Sequence, residues 1–122
     1  MMWQKEKQNH FKIYLMKFET VSLFEKQFKK LAKKYSLIKE DISKFITDFD
    51  NLHPQSTTIK NNLFKTRLAN SNKNKGKSSG YRIYYYLKIN DTVYLLTIYD
   101  KSEIESINES ILDEFINEII KE

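Results

Sequence analysis

No cysteine occurs among the 122 residues, and only one proline, two glycines and two histidines do. The missing cysteine excludes a disulfide-stapled scaffold, a thiolate zinc site and a thiol nucleophile. His10 and His53 cannot build a multi-histidine metal site between them, and they leave a Ser-His arrangement poorly provided. Scarce glycine and proline rule out collagen-like and Gly/Pro-rich disordered classes. No run approaches the roughly 18 apolar residues that span a bilayer, and the lysine-bearing N-terminus lacks the apolar core and cleavage site of a signal peptide. The expectation is a cytoplasmic protein without a membrane role. Its chemistry, if it has any, must rest on lysine, arginine and tyrosine.

What is present suits one domain with one core: 40% of residues are hydrophobic, 30% charged and 14% aromatic. Residues 1–10 show no clear period and read as an extension of uncertain order, followed by a single domain over 11–122. The net charge of +5 is unevenly distributed. Residues 1–59 carry 11 basic and 7 acidic side chains, residues 60–101 carry 9 and 2, and residues 102–122 carry 1 and 7. Between Asp50 and Asp91 there is no carboxylate, while Lys60, Lys65, Arg67, Lys73, Lys75, Lys77, Arg82 and Lys88 all fall there. Such a segment either attracts polyanions or forms a solvated lysine-rich surface.

Alternation of Phe11, Ile13 and Leu15 with Lys12, Tyr14 and Met16 predicts a strand near 11–18. Ser22-Leu-Phe-Glu25 matches a capping box and opens a helix with Val21, Phe24, Phe28, Leu31 and Tyr35 at helical spacing. After a break at 35–37, Ile38, Ile42, Phe45, Ile46, Phe49 and Leu52 continue that period and predict a helical hairpin. The polar stretch 53–58 ends it, with Pro54 disfavouring helix at His53. Strands are predicted over 62–70, 80–89 and 92–100, the last two joined by a tight turn at Asn90-Asp91, with 70–79 as a mobile loop. Ser102-Glu-Ile-Glu105 predicts a closing helix whose apolar face holds Ile104, Ile107, Ile111, Leu112, Phe115, Ile116 and Ile119. The sum is an α+β fold with a mostly antiparallel sheet of about four strands and helices on one face.

Residues two apart on a strand share a face, so Lys65 and Arg67 project together, as do Arg82, Tyr84 and Tyr86. Tyr99 and Lys101 share a side at the end of the last strand, and Lys73, Lys75 and Lys77 are free to fold over the same concavity. Tyrosines beside arginines suit single-stranded RNA, because bases stack on rings while cations neutralise phosphates. They equally suit half-buried strand positions.

Three segments, Lys65-Thr-Arg67, Lys77-Ser-Ser-Gly-Tyr-Arg82-Ile-Tyr-Tyr-Tyr86 and Tyr94-Leu-Leu-Thr-Ile-Tyr-Asp-Lys101-Ser-Glu103, resemble toxins of the RelE/ParE superfamily, most closely the HigB-like branch. The resemblance covers about Phe11 to the end. It implies a RelE-like fold and the toxin of a type II toxin–antitoxin pair. Such a toxin is a ribosome-dependent endoribonuclease that cuts messenger RNA by attack of the 2′-hydroxyl on the adjacent phosphate, with no metal and no cofactor. The implied catalytic residues are Lys65 for proton transfer, Arg67 on the phosphate, Arg82 as the transition-state arginine and Lys101 after the last strand. Implied substrate contacts are Lys73, Lys75, Lys77, Tyr84 and Tyr99. The implied partners are the ribosome, messenger RNA and a cognate antitoxin with a helix-turn-helix DNA-binding part. A ParE-like gyrase inhibitor and a non-catalytic basic module binding RNA or protein are the alternatives.

Overall fold

A computed structural model describes residues 2–9, 12–74, 76–88 and 91–122, with side chains from Met16 onward except Ser78. The architecture is α+β. Its strands are β1 (Met2–Asn9), β2 (Lys12–Thr20), β3 (Thr57–Lys60), β4 (Leu63–Leu68), β5 (Tyr81–Lys88) and β6 (Thr92–Asp100). Helices α1 (Ser22–Ala32), α2 (Ile38–Thr47) and the short α3 (Phe49–Leu52) follow β2, and α4 (Asp113–Lys121) closes the chain. The strands form one six-stranded mixed sheet in the order β1-β2-β6-β5-β4-β3, in which only the β2–β6 pairing is parallel.

The sheet exceeds the four strands expected because two short-signal strands flank them. Residues 2–9 pair along their whole length with Lys12–Glu19. Thr57–Lys60 pairs with Leu63–Lys65 through a turn in which Asn62 takes a positive φ of 63°. Asp91 likewise takes φ 67°, in keeping with the expected turn there, while Asn90, Phe11 and His10 lie outside the described residues.

Helices cover both faces of the sheet rather than one. The reason lies in β5 and β6, which carry apolar or aromatic side chains in both directions and are buried almost throughout. On one face Phe18, Leu68, Tyr81, Ile83, Tyr85, Val93, Leu95 and Ile98 pack with Phe24 and Leu31 of α1, Ile38, Ile42, Phe45 and Ile46 of α2, and Phe49 of α3. On the other, Leu63, Tyr84, Tyr86, Tyr94, Leu96 and Tyr99 pack with Leu112, Ile116 and Ile119.

The two expected capping boxes do not form. At α1 the N-cap is Val21, and Glu25 accepts a 2.7 Å hydrogen bond from the Thr20 hydroxyl instead. At residue 102 no helix starts. The Asp100 carboxylate accepts hydrogen bonds from the Ser102 amide (3.0 Å) and hydroxyl (2.8 Å), and this local alternative ends the strand in a turn. A 3₁₀ turn begins only at Glu109, capped by Asn108, whose side chain accepts from the Ser110 amide, and α4 follows. Ile104 and Ile111 are therefore exposed, not on a buried face. His53 also departs from expectation. It stays helical (φ −54°, ψ −44°) and enters a 3₁₀ turn with Pro54, whose missing N–H costs nothing at that position.

Candidate functional site

The register of the sheet builds the site. Lys65 lies opposite Tyr84, and Arg67 opposite Arg82, which in turn lies opposite Tyr99. Lys65, Arg67, Arg82, Tyr84 and Tyr99 therefore share one face, as the period of two requires for the first four. Tyr99 reaches that face through a bulge. Tyr84 pairs with Thr97 but Tyr85 with Leu95, so β6 has one extra residue, and Leu96 and Ile98 point to opposite faces.

Arg67 and Arg82 are the only arginines in the chain, and they are direct cross-strand neighbours. Like charges placed opposite each other destabilise a sheet. Burial lowers the pKa of the Arg82 guanidinium, the charge of Arg67 lowers it further, and Tyr99 acts the other way. An anion beside such a pair would relieve the repulsion.

Beside it, at the outer edge of β4, an open cleft of about 320 Å³ is lined by Lys65, Thr66, Arg67, Lys77, Leu52, Gln55 and Thr57. None of these described lining residues carries a carboxylate. Arg67 and Lys77 are exposed, and Lys65 is half-buried with its ammonium 5.4 Å from the centroid of the Tyr84 ring. Among the described residues no three His, Asp or Glu side chains gather as metal ligands, and no helix is long and apolar enough to cross a membrane.

Three expected site residues are thus brought to one cleft: Lys65, Arg67 and Lys77. The others are not. Arg82 is only 5% exposed, and its Nη1 donates to the carbonyls of Lys77 (3.1 Å) and Tyr81 (3.2 Å). In this arrangement it holds the turn that carries Lys77. Tyr84 and Tyr99, 1% and 2% exposed, are covered by the C-terminal segment and offer no free ring to a base. The Tyr84 hydroxyl donates to Glu109 (2.5 Å), and burial and that carboxylate both raise its pKa. Among the described residues the buried Tyr99 hydroxyl has no hydrogen-bond partner. Lys101 lies outside the cleft with its ammonium on the Glu105 carbonyl at 2.7 Å. Lys75 lies outside the described residues.

Lys73 does not line the cleft either. Its ammonium donates to Asp100 (2.7 Å), the Ser102 hydroxyl (2.8 Å) and the Ser79 carbonyl (3.2 Å). Asp100 also accepts from the Tyr35 hydroxyl at 2.5 Å. Burial alone would raise the Asp100 pKa, but these donors outweigh it and bring it down to about 2. The Asp41 carboxylate accepts from the Ser71 amide (2.9 Å) and hydroxyl. The segment 70–79, expected to be mobile, is therefore tied at both ends to the body of the protein.

Besides Leu52 and Thr66, the cleft is lined by Gln55 and Thr57, which the sequence did not single out for it. Neither is charged or aromatic, and only the pairing of β3 with β4, which sets Thr57 opposite Lys65, brings them to the cleft. No family model matches the chain, and no curated protein is significantly similar to it.

Proposed function

We propose that this chain is a metal-independent, ribosome-dependent endoribonuclease with a RelE-like arrangement, the toxin of a type II toxin–antitoxin pair most similar to the HigB branch. The observation that carries the reading is the cleft in which Lys65 and Lys77 lie with Arg67, itself backed by Arg82, and no described lining residue is a carboxylate. Arg67 holds the scissile phosphate and stabilises charge as the phosphorane forms. Lys65, acting as the neutral amine, accepts the proton of the substrate's 2′-hydroxyl while that hydroxyl oxygen bonds to phosphorus. The bond to the 5′-oxygen breaks, and that oxygen takes a proton from Lys77. Arg82 acts as a positioning residue through the Lys77 carbonyl. A cytoplasmic setting, the ribosome, messenger RNA and a helix-turn-helix antitoxin as partners belong to this same reading.

The burial of Arg82, Tyr84 and Tyr99 favours a second reading, a basic module that binds RNA without cutting it. The two separate in a translation reaction with purified protein and mapped messenger RNA ends. The ribonuclease gives codon-phased ends only when ribosomes are present. Intact messages overturn it, and intact messages with gyrase-linked DNA breaks would point to a ParE-like inhibitor.

A further inference from the structure

The cleft has a wall that phosphate chemistry leaves unused. Leu52, at the end of α3, presents half-buried apolar surface, and Gln55 and Thr57 follow it in the 3₁₀ turn and the first position of β3. Gln55 Nε2 donates to the Asn51 carbonyl at 3.2 Å, which leaves one amide proton and Oε1 for a ligand. This wall is held rigidly. The His53 ring stacks on Phe49 with centroids 5.2 Å apart and meets Phe64 edge-on at 4.7 Å. His53 Nδ1 lies 2.5 Å from the Tyr85 hydroxyl, which also donates to the Ser56 hydroxyl at 2.9 Å. The backbone of 53–57 is thereby pinned to the core, as a discriminating surface requires.

A volume of about 320 Å³ is at the small end for ligand clefts, enough for one nucleotide and too little for a folded segment. One side of it is cationic; the rest offers an apolar surface, an amide and a hydroxyl. Those are the groups that contact an unstacked base in single-stranded RNA. A peptide carboxylate would use the cations and leave that wall idle.

We propose that residues 52–57 form a nucleobase subsite, in which one base lies against Leu52 and Gln55 and Thr57 hydrogen-bond its edge while Lys65, Arg67 and Lys77 hold the adjoining phosphate. The subsite rests on the ribonuclease reading and sets its nucleotide preference. Lys65 and Arg67 act on every sequence alike; Gln55 and Thr57 discriminate among them.

Two measurements test it. The full chain is photo-crosslinked to a 2′-O-methylated RNA pentamer carrying one 5-bromouridine, and the adduct is mapped by mass spectrometry. Messenger RNA ends are mapped for the wild type, Gln55→Ala and Thr57→Val. The adduct falls within residues 52–57, its yield drops about tenfold in each variant, and nucleotide preference at the cut flattens by a similar factor, the scale of one lost base contact. Cleavage with unchanged preference in both variants, or an adduct elsewhere, overturns the subsite while the ribonuclease reading stands. If the wild type leaves messages intact with ribosomes, the ribonuclease reading falls, and the adduct position alone decides whether a base binds here. Displacement of the pentamer by polyglutamate at equal concentration would assign the cleft to an acidic peptide and overturn the proposal.

Discussion

Arg67 and Arg82 repel each other across β4 and β5, and Arg67 is the exposed member of the pair. Replacing it relieves the repulsion and removes the phosphate contact together. Arg67→Ala should leave stability unchanged or raise it by about 0.5 kcal/mol. The same change should slow cleavage about 100-fold, the scale of one lost charge-stabilising donor. Urea unfolding and timed mapping of messenger RNA ends measure the two effects; a loss of stability above 1 kcal/mol would show Arg67 to be structural. Asp100 presents the opposite case, a carboxylate satisfied on every side. Its folded pKa of about 2 lies below the ordinary carboxylate value near 3.9, so its contribution is complete above that value and fades as pH falls toward 2. Asp100→Asn should cost about 3 kcal/mol at pH 7, because it leaves the Lys73 ammonium uncompensated. Between pH 5 and 2 the variant should lose less stability than the wild type, which parallel urea titrations would reveal.

Elements with strong periodicity were legible in advance. The strands at 62–70, 80–89 and 92–100 stand within two residues of β4, β5 and β6, and α1 and α2 begin where Ser22 and Ile38 indicated. The failures trace to short polar side chains. Asp100 and Asn108 bond to nearby groups and so move the C-terminal helix start away from the Ser102–Glu105 pattern, while at α1 Thr20 takes the place of the capping serine as the partner of Glu25. The strands β1 and β3 escaped notice because Lys, Gln, Glu and Asn in one, and four residues in the other, carry little alternation. The C-terminal segment matters most. Leu112 is fully buried against the tyrosine-bearing face, and Lys60–Asp113 (2.6 Å) and Tyr94–Glu122 (2.7 Å) tie the segment to β3 and β6. Leu112→Ala should therefore cost about 3 kcal/mol and open the segment to proteolysis before the rest of the chain unfolds. Simultaneous loss of all structure would show that the segment and the sheet melt as one.

At the scale of the whole molecule, half of the site was readable and half was not. Strand parity alone places Lys65 and Arg67 together, whereas the β4–β5 register of the structure sets Arg82 beside Arg67. Nothing local to Tyr84 or Tyr99 shows that an acidic segment starting beyond residue 102 will lie over them, since that is settled by packing between distant elements. Gln55 and Thr57 were invisible for the same reason.

The last strand to be made lies in the interior of the sheet, between β2 and β5, and Lys17–Thr20 must pair with Thr92–Leu95 over roughly 75 intervening residues. Until β6 emerges during synthesis, β1–β2 and β3–β4–β5 are two separate ribbons that share no strand. A fragment of residues 1–91 should accordingly show no cooperative thermal transition by circular dichroism. Cooperative folding of the sheet is thus gated by the arrival of β6, which alone joins the ribbon that carries Arg67 and Arg82 to β1–β2.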